Sequence, residues 1–234
     1  MNFDWRDKRA FPCSLAFLFF ISMWLIKELQ YMLNSGTLDS YLIITNKNAF
    51  NYFDNLMLSS MYMPLYLLFE YMLWHENSQA IIRFRSRIRY LFSQTIKLLI
   101  STVFFWGIFF LIGILPLAYL RGMGTETFLL LFISQTGAYC LISLEVGLIM
   151  FWLFQLLPKF HLVITLSLAV GVIFYSGLPI QPMTLFQKID LLKRFYFMHD
   201  LNGFSVPTLI ILVTVPLITL CARVIWIQHE EFWQ

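Results

Sequence analysis

The sequence alternates between long apolar runs and short polar segments. An apolar run of about 20 residues is long enough to cross the hydrocarbon core of a bilayer as a helix. The candidate spans are residues 11–32, 56–74, 98–120, 128–157, 162–175 and 206–226. Charged residues make up only 12% of the chain, against roughly 25% in soluble domains. The sequence therefore predicts one all-α polytopic membrane domain over residues 1–234, with about six transmembrane helices.

The polar segment after the second run is the most basic part of the chain. The cationic side chains of this segment are Arg83, Arg85, Arg87, Arg89 and Lys97. Lys and Arg near the ends of transmembrane helices are retained on the cytoplasmic side. We therefore expect residues 75–97 to form a cytoplasmic elbow. With six spans, both termini are then cytoplasmic.

The arginines of this elbow divide between two faces of a helix. At 100° per residue, Arg83 and Arg87 share one face, and Arg85 and Arg89 lie nearly opposite. Two interpretations remain open, and they are compatible with each other. The arginines form a lipid-facing basic belt, or one pair meets headgroups while the other meets a protein partner.

The polar segments on the other side of the membrane differ in character. We expect residues 34–55 to form a surface loop, and Lys27 and Glu28 to reach the outer interface. Residues 176–205 are too polar to span, but their apolar residues recur at helical spacing. These residues are Leu185, Ile189, Leu192 and Tyr196. They predict an interfacial or re-entrant helical segment between the fifth and sixth spans.

Three features within the spans carry predictions of their own. Pro64 predicts a kink in the second span, because proline removes a backbone donor. The fourth run is longer than a bilayer requires, so it either tilts or breaks near residues 134–137. Glu145 lies deep in that run, whereas Glu70 lies a turn before the end of the second span. An intramembrane carboxylate is costly unless it is paired, hydrated or protonated. Glu145 is therefore either a cargo or proton site, or it is held by a polar neighbour on another helix or lies near the inner third of the membrane, where water reaches it.

Known catalytic and nucleotide-binding patterns are missing from the sequence. It contains no GxxxxGK[ST] phosphate loop, no HExxH and no GxSxG. We therefore expect no enzymatic activity in this chain. Cys13, Cys140 and Cys221 are too far apart in sequence to indicate a disulfide framework or a metal site. Outside the segments next to the predicted spans, the sequence contains no run of alternating basic and aromatic residues. We therefore expect no nucleic-acid partner.

This outline resembles the membrane subunit of a type-2 ABC exporter, the ABC-2 type permease. A short motif is also similar to the small permeases of Gram-positive bacteriocin and antimicrobial-peptide clusters. In it, the acidic Glu76 precedes an apolar pair, Ile81 and Ile82, and then the basic run from Arg83 to Arg87. The resemblance covers nearly the whole chain as architecture and about twenty residues as motif.

The resemblance implies a permease subunit in the bacterial cytoplasmic membrane, with a hydrophobic or amphipathic cargo such as an antimicrobial peptide, a bacteriocin or a lipid-like molecule. It implies a separate ATPase subunit that binds ATP and Mg²⁺, no cofactor on this chain, and a second permease copy or a related permease. The segment that couples to the ATPase would contain Glu76, Arg83, Arg85, Arg87 and Arg89. Two alternatives remain: a stand-alone membrane immunity protein that binds a peptide without ATP, and an ion-coupled carrier or membrane enzyme that uses Glu145.

Overall fold

The computed structural model of the chain describes residues 5–48, 50–74, 87–120, 125–157, 159–177, 179–180, 183–199 and 206–232. These residues are almost entirely helical. The helices of the first half are α1 (Trp5–Lys27), α2 (Leu29–Asn34), α3 (Leu38–Lys47), α4 (Asn55–Met57), α5 (Met63–Trp74) and α6 (Arg87–Gly113). Those of the second half are α7 (Leu115–Tyr119), α8 (Thr125–Leu156), α9 (Phe160–Gly177), α10 (Leu185–Ile189), α11 (Leu191–Tyr196) and α12 (Val206–Phe232).

Several of these helices have the length and composition of membrane spans. Within the described ranges, five stretches qualify: Ala10–Lys27, Asn55–Leu73, Ile88–Tyr119, Thr125–Phe154 and Pro207–Trp226. Helix α9 carries a shorter apolar stretch, His161–Ile173. Large apolar side chains also cover the outward faces of the bundle, as expected where lipid is the solvent. The predicted all-α architecture with several membrane-crossing candidates is confirmed.

The contacts of α8 define the directions of its neighbours. The Trp106 indole of α6 donates a 2.9 Å hydrogen bond to Ser143, and Phe109 packs against Phe132. Residue numbers rise along α6 as they fall along α8, so these two helices are antiparallel. Helix α12 contacts α8 at successive levels with both numbers rising, so those two are parallel. We call the end where α5 ends and α6 begins the elbow end, and the end where α6 ends and α8 begins the cap end.

Aromatic side chains fill the centre of the bundle between α1, α5, α6 and α8. Phe20 and Phe109 each pack against Tyr62, with ring centroids 5.3 and 5.4 Å apart. Trp106 lies 5.3 Å from Phe109 and 5.3 Å from Tyr139. Tilted and edge-to-face pairs of this kind add about 0.5–1.5 kcal/mol each beyond the area that they bury. This core holds the four helices together.

The second span contains an irregular turn where proline was expected to disturb it. A π-helical stretch, Leu58–Tyr62, joins α4 to α5 just before Pro64. Pro64 has no N–H to donate to the carbonyl of Ser60, and its ring would crowd that carbonyl in a regular helix. A wider turn relieves this conflict.

The fourth span is one unbroken helix, so the polar residues 134–137 do not interrupt it. The hydroxyl of Ser134 donates to the Leu130 carbonyl at 2.8 Å, which satisfies this polar group within the helix. The third span begins earlier than the sequence suggested. Helix α6 starts at Arg87, so residues 87–97 of the segment assigned to the elbow are the first turns of that helix.

The segment expected to be an outer surface loop is largely a buried helix. Thr37 forms a capping box with Ser40 and starts α3. Leu38, Tyr41 and Leu42 lie on one face of α3 and are fully buried. The surface-loop prediction for residues 34–55 was wrong because these apolar residues, at spacing i, i+3 and i+4, pack against α11.

The segment before the last helix is made of short elements. Strands β1 (Pro179–Ile180) and β2 (Met183–Thr184) pair as a small antiparallel hairpin. Helices α10 and α11 follow, separated at Asp190, which caps α11 by accepting from the Lys193 N–H. Helix α11 packs against α3 and α8. Together, α3, the hairpin, α10 and α11 cover the cap end of the bundle, and we call these short elements the cap.

Candidate functional site: buried charges between the helices

Glu145 lies on α8 at its contact with α12. Its side chain is 4% exposed, and its Oε1 atom accepts a 2.7 Å hydrogen bond from the Thr219 hydroxyl. Its Oε2 atom has no hydrogen-bond partner within the described ranges. A polar neighbour on another helix therefore holds one oxygen of this carboxylate, and the second oxygen is buried without such a contact.

A buried arginine lies one turn from Thr219 on α12. Arg223 is 4% exposed, and its guanidinium carbon lies 6.0 Å from the centre of the Phe151 ring on α8. Tyr90 of α6 lies close enough to interact with it electrostatically. In the part of the chain that the structure describes, no carboxylate forms an ion pair with Arg223. The line along which α8 and α12 meet, here called the α8–α12 seam, thus contains a carboxylate and an arginine that do not pair.

A second intramembrane carboxylate lies on the opposite side of α8. Glu70 is fully buried one turn after Tyr66, whose hydroxyl shares a 2.8 Å hydrogen bond with Thr102 of α6. Gly147 lets α8 approach this pair, because a Cβ there would lie 2.7 Å from the Tyr66 hydroxyl oxygen. Glu70 is therefore part of a tight contact between α5, α6 and α8, rather than a residue near an exposed interface.

The predicted coupling residues fall mostly outside the described ranges. Glu76, Arg83 and Arg85 are among the residues that the structure does not describe. Arg87 is the first residue of α6, and Arg89 is exposed on its first turn. The two described arginines therefore lie at the elbow end, on the same continuous helix as Trp106.

The cap end contains a buried carboxylate that the sequence did not single out. Glu28, at the junction of α1 and α2, is fully buried. It accepts hydrogen bonds from the Tyr41 hydroxyl at 2.9 Å and from the Tyr52 N–H at 2.8 Å, one on each oxygen. Burial, and next the nearby Glu28 carboxylate, hold the pKa of Tyr41 well above its usual range, so this phenol remains a donor. The expectation that Glu28 reaches the outer interface was wrong, because two donors from the folded cap satisfy it.

Asp54 ties the start of the second span to α11. Its side chain is fully buried and lies 3.5 Å from the Nζ atom of Lys193. Its two oxygens also accept from the Phe50 N–H at 2.8 Å and the Leu56 N–H at 3.0 Å. Asp54 is thus a helix N-cap and a partner in a buried ion pair at once.

Asp190 lies against the same group of residues. It accepts from the Lys193 N–H at 3.2 Å and from the Asn55 N–H at 3.4 Å. Burial, and next the neighbouring Asp54 carboxylate, raise the pKa of Asp190 to about 7. Lys193 opposes this rise. The cap therefore contains a carboxyl group that titrates near neutral pH.

Two polar side chains of α8 join the cap to the bundle. Gln135 donates to the Phe53 carbonyl at 2.7 Å and accepts from the Leu192 N–H at 3.0 Å. The Tyr139 hydroxyl also donates to the Phe53 carbonyl, at 3.0 Å. The segment before α4 and the start of α11 are thereby both anchored to one helix, which fixes the cap relative to the spans.

A cleft of about 280 Å³ opens between α6 and α8. Its walls are apolar and include Trp106 and two glycines, Gly107 and Gly137. Open space surrounds the position of a Cβ at either glycine, since no atom lies within 4 Å of it. Thr136 also lines the cleft, and its buried hydroxyl has no hydrogen-bond partner within the described ranges.

The cap carboxylates have sequence signals that are recognisable in retrospect. Asp54 and Asp190 each stand immediately before a short helical segment, where an Asp N-cap is favoured. Glu28 offers no such signal, because its partners are 13 and 24 residues away in the chain. Only the folding of α3 and the segment after it back onto the junction of α1 and α2 brings them together.

The described residues contain no group of three or more His, Cys, Asp or Glu side chains arranged to hold a metal ion. The chain matches no protein-family model, no curated protein and no solved structure.

Proposed function

We propose that this chain is the membrane-spanning permease subunit of an ABC exporter. It moves a hydrophobic or amphipathic cargo, such as an antimicrobial peptide, a bacteriocin or a lipid-like molecule. A separate ATPase subunit binds ATP and Mg²⁺ and drives the transport. In this proposal the chain crosses the bacterial cytoplasmic membrane six times, counting α9. Both termini are then cytoplasmic, and a second permease copy or a related permease completes the transporter.

The observation that supports the proposal is the structural difference between the two ends of the bundle. Short helices α10 and α11, just before the last long helix, cover the cap end. The basic start of α6 lies at the opposite end. The resemblance to type-2 exporters leads us to expect such an outer segment before the last span and a basic coupling segment on the cytoplasmic side.

Helix α6 offers a mechanical link between these ends. It runs without a break from Arg87 to Gly113. Near its cap end, the Phe109 carbonyl accepts a 2.9 Å hydrogen bond from the Tyr52 hydroxyl. A displacement of the first turn of α6 by an ATPase would therefore be transmitted along a rigid helix to the cap. The cleft between α6 and α8 would change shape in the same movement.

Co-purification tests the partner. The chain, expressed with its neighbouring gene products, should recover an ATPase subunit, and Glu76→Ala and Arg83→Gln should weaken both this recovery and export or resistance. Lys47→Gln, which removes an exposed cationic residue at the cap end, is the matched control. The proposal fails if no ATPase is recovered and the Glu76 and Arg83 variants keep full export. Resistance that survives deletion of every nearby ATPase gene would favour the stand-alone immunity protein.

A second experiment tests the cleft. Gly137→Leu places a side chain in open space, so the protein should fold while export falls by about tenfold or more, as for a loss of roughly 1.4 kcal/mol. Gly36→Leu is the control, because Gly36 also has open space around it but lies in the turn before α3. Unchanged export by a well-folded Gly137→Leu protein would show that cargo does not use this cleft.

A further inference from the structure

Several buried hydrogen-bond donors at the elbow end have no acceptor in the described part of the chain. They are the Nε and Nη1 atoms of Arg223, the Nε2 atom of Gln94 and the Nε1 atom of Trp152. Arg223 is 4% exposed and Gln94 is 1% exposed. A buried polar group is normally hydrogen-bonded, so a group of unused donors around one arginine needs an explanation.

These donors come from three helices that meet at one level of the bundle. Arg223 of α12 lies over the Phe151 ring, next in sequence to Trp152 on α8. Trp152 in turn packs against Trp226, with ring centroids 6.4 Å apart. Tyr90 on α6 lies near both Arg223 and Gln94. The donors therefore come from α6, α8 and α12 at the elbow end of the α8–α12 seam.

The carboxylate on the same seam does not neutralise the arginine. The Oε1 atom of Glu145 is bonded to Thr219, and no ion pair within 4.0 Å joins Glu145 to Arg223 in the described part. A buried guanidinium without a counter-charge is strongly destabilising. An anion with several acceptor oxygens would remove this cost. Among common anions, phosphate best matches a guanidinium fork supplemented by neutral N–H donors.

The level of Arg223 along the bundle indicates where such an anion is found. Arg223 lies one turn before Trp226, the residue at which the apolar stretch of α12 ends. Trp is enriched at the level of lipid headgroups, where the phosphates of a leaflet also lie. Cys221, Ala222 and Ile225 on the same turns are exposed, so lipid can approach the seam along α12.

We propose that Arg223, Gln94 and Trp152 form a binding site for a phosphate group at the elbow end of the α8–α12 seam. The phosphate belongs either to the headgroup of a phospholipid in the adjoining leaflet or to a small phosphate-bearing solute. The carbonyl oxygen of Gln94 is also buried without a donor, which suits a ligand whose phosphate carries a neighbouring hydroxyl, as in phosphatidylglycerol. This site does not depend on the proposed transport activity.

Thermal unfolding of the purified, detergent-solubilised protein tests the site. Three additives are compared: phosphatidylglycerol, diacylglycerol at the same mole fraction, and inorganic phosphate against chloride at matched ionic strength. Phosphatidylglycerol should raise Tm by about 5 °C at saturation, since a ligand that binds only the folded state stabilises it. Diacylglycerol should not raise Tm. A comparable rise with inorganic phosphate alone would identify the solute as the source of the phosphate.

Variants separate a specific site from general attraction between charges. Arg223→Gln should abolish the rise in Tm, and Arg223→Lys should retain part of it. Lys97→Gln should keep the full rise, because Lys97 is an exposed cation on α6 near Gln94. If Arg223→Gln does not fold, Gln94→Leu provides the second variant, with a weaker rise expected.

Native mass spectrometry gives an independent measurement on the unaltered protein. It should show one phosphatidylglycerol retained per chain after washing with detergent. The proposal is overturned if neither lipid nor phosphate raises Tm and no phospholipid is retained. It is also overturned if Lys97→Gln and Arg223→Gln reduce the rise equally.

Discussion

The two ends of the bundle bury charge in different ways. At the cap end, each oxygen of Glu28, Asp54 and Asp190 accepts a hydrogen bond from a described residue. Along the α8–α12 seam, from Glu145 within α8 to Arg223 towards the elbow end, one oxygen of Glu145 and two nitrogens of Arg223 have no such partner. Both ends exclude solvent from these groups to a similar degree.

The difference indicates what each end does. Carboxylates whose oxygens are all satisfied favour one arrangement of the elements that bond them, because any other arrangement leaves those oxygens unpaired. The uncharged polar atoms of the cap end are less completely paired, since Trp24 Nε1, Asn46 Oδ1 and the Tyr196 hydroxyl have no hydrogen-bond partner within the described ranges. A partly satisfied group is costly until something binds it. The cap therefore behaves as a structural lock on the α2–α3 and α10–α11 segments. The elbow end has polar groups available for a ligand or for a movement.

Loss of the Glu28 carboxylate should have the strongest effect on this lock. Glu28→Leu leaves the Tyr41 hydroxyl and the Tyr52 N–H buried without an acceptor. We expect the free energy of unfolding to fall by about 3 kcal/mol, at roughly 1–3 kcal/mol per orphaned donor. Thermal unfolding in detergent measures this. Gln30→Leu, an exposed change in the same short helix α2, is the control. Native-like stability of Glu28→Leu would show that this carboxylate does not hold the cap.

The pH dependence of stability should reveal Asp190. Its pKa is raised from 3.8 to about 7 in the folded protein, so the folded state binds more protons between these values. Its contribution is therefore fully present below about pH 3.8 and is lost as pH rises through about 7. The charged groups that face it are Asp54 and Lys193, with Tyr139 close by.

We expect Tm to fall by a few degrees between pH 5 and pH 8, and by less in Asp190→Asn. Comparison of the two proteins removes the contribution of other titrating groups. Identical pH profiles would mean that Asp190 titrates in its ordinary range and that the cap does not respond to neutral pH.

The smallest change in stability is expected at the seam. Glu145→Gln keeps an acceptor for the Thr219 hydroxyl and replaces an oxygen that has no described partner. We expect the free energy of unfolding to fall by about 1 kcal/mol or less, because the hydrogen bond to Thr219 is kept. Glu28→Gln is the matched substitution at the cap end and should cost more, because both of its oxygens accept hydrogen bonds. Equal losses in the two variants would remove the distinction between the ends.

The Glu145→Gln variant also separates the functional alternatives. A stable variant that loses transport would favour an ion-coupled carrier that uses Glu145. Unchanged transport would count against that alternative and leave the ABC permease proposal intact.

The helical elements were largely predictable from local sequence. Apolar runs of sufficient length form helices regardless of their neighbours, because backbone groups in lipid must bond within the segment. The ends of these helices were less predictable. Within the described ranges, helix α6 includes residues 87–97 of the basic segment, since arginine is a good helix former and its charge does not end a helix.

Only part of the candidate site could be predicted from the local sequence. Glu145 stands out in the sequence because no other carboxylate lies so deep in an apolar run. In the sequence, Arg223 stands only as a cation near the end of the last apolar run. Its burial depends on α6 and α8 packing around it, and no local pattern encodes that packing.

Composition and the spacing of apolar runs were sufficient to predict an all-α protein with several helices long and apolar enough to cross a membrane, because those properties follow from one-dimensional hydrophobicity. The tertiary structure alone decided which charges are satisfied. Glu28 meets Tyr41 and Tyr52 because α3 and the segment after it fold back onto the junction of α1 and α2, whereas no described carboxylate of α6 or α8 pairs with Arg223. Whether a buried polar group is paired depends on contacts between distant parts of the chain, which the order of residues does not display.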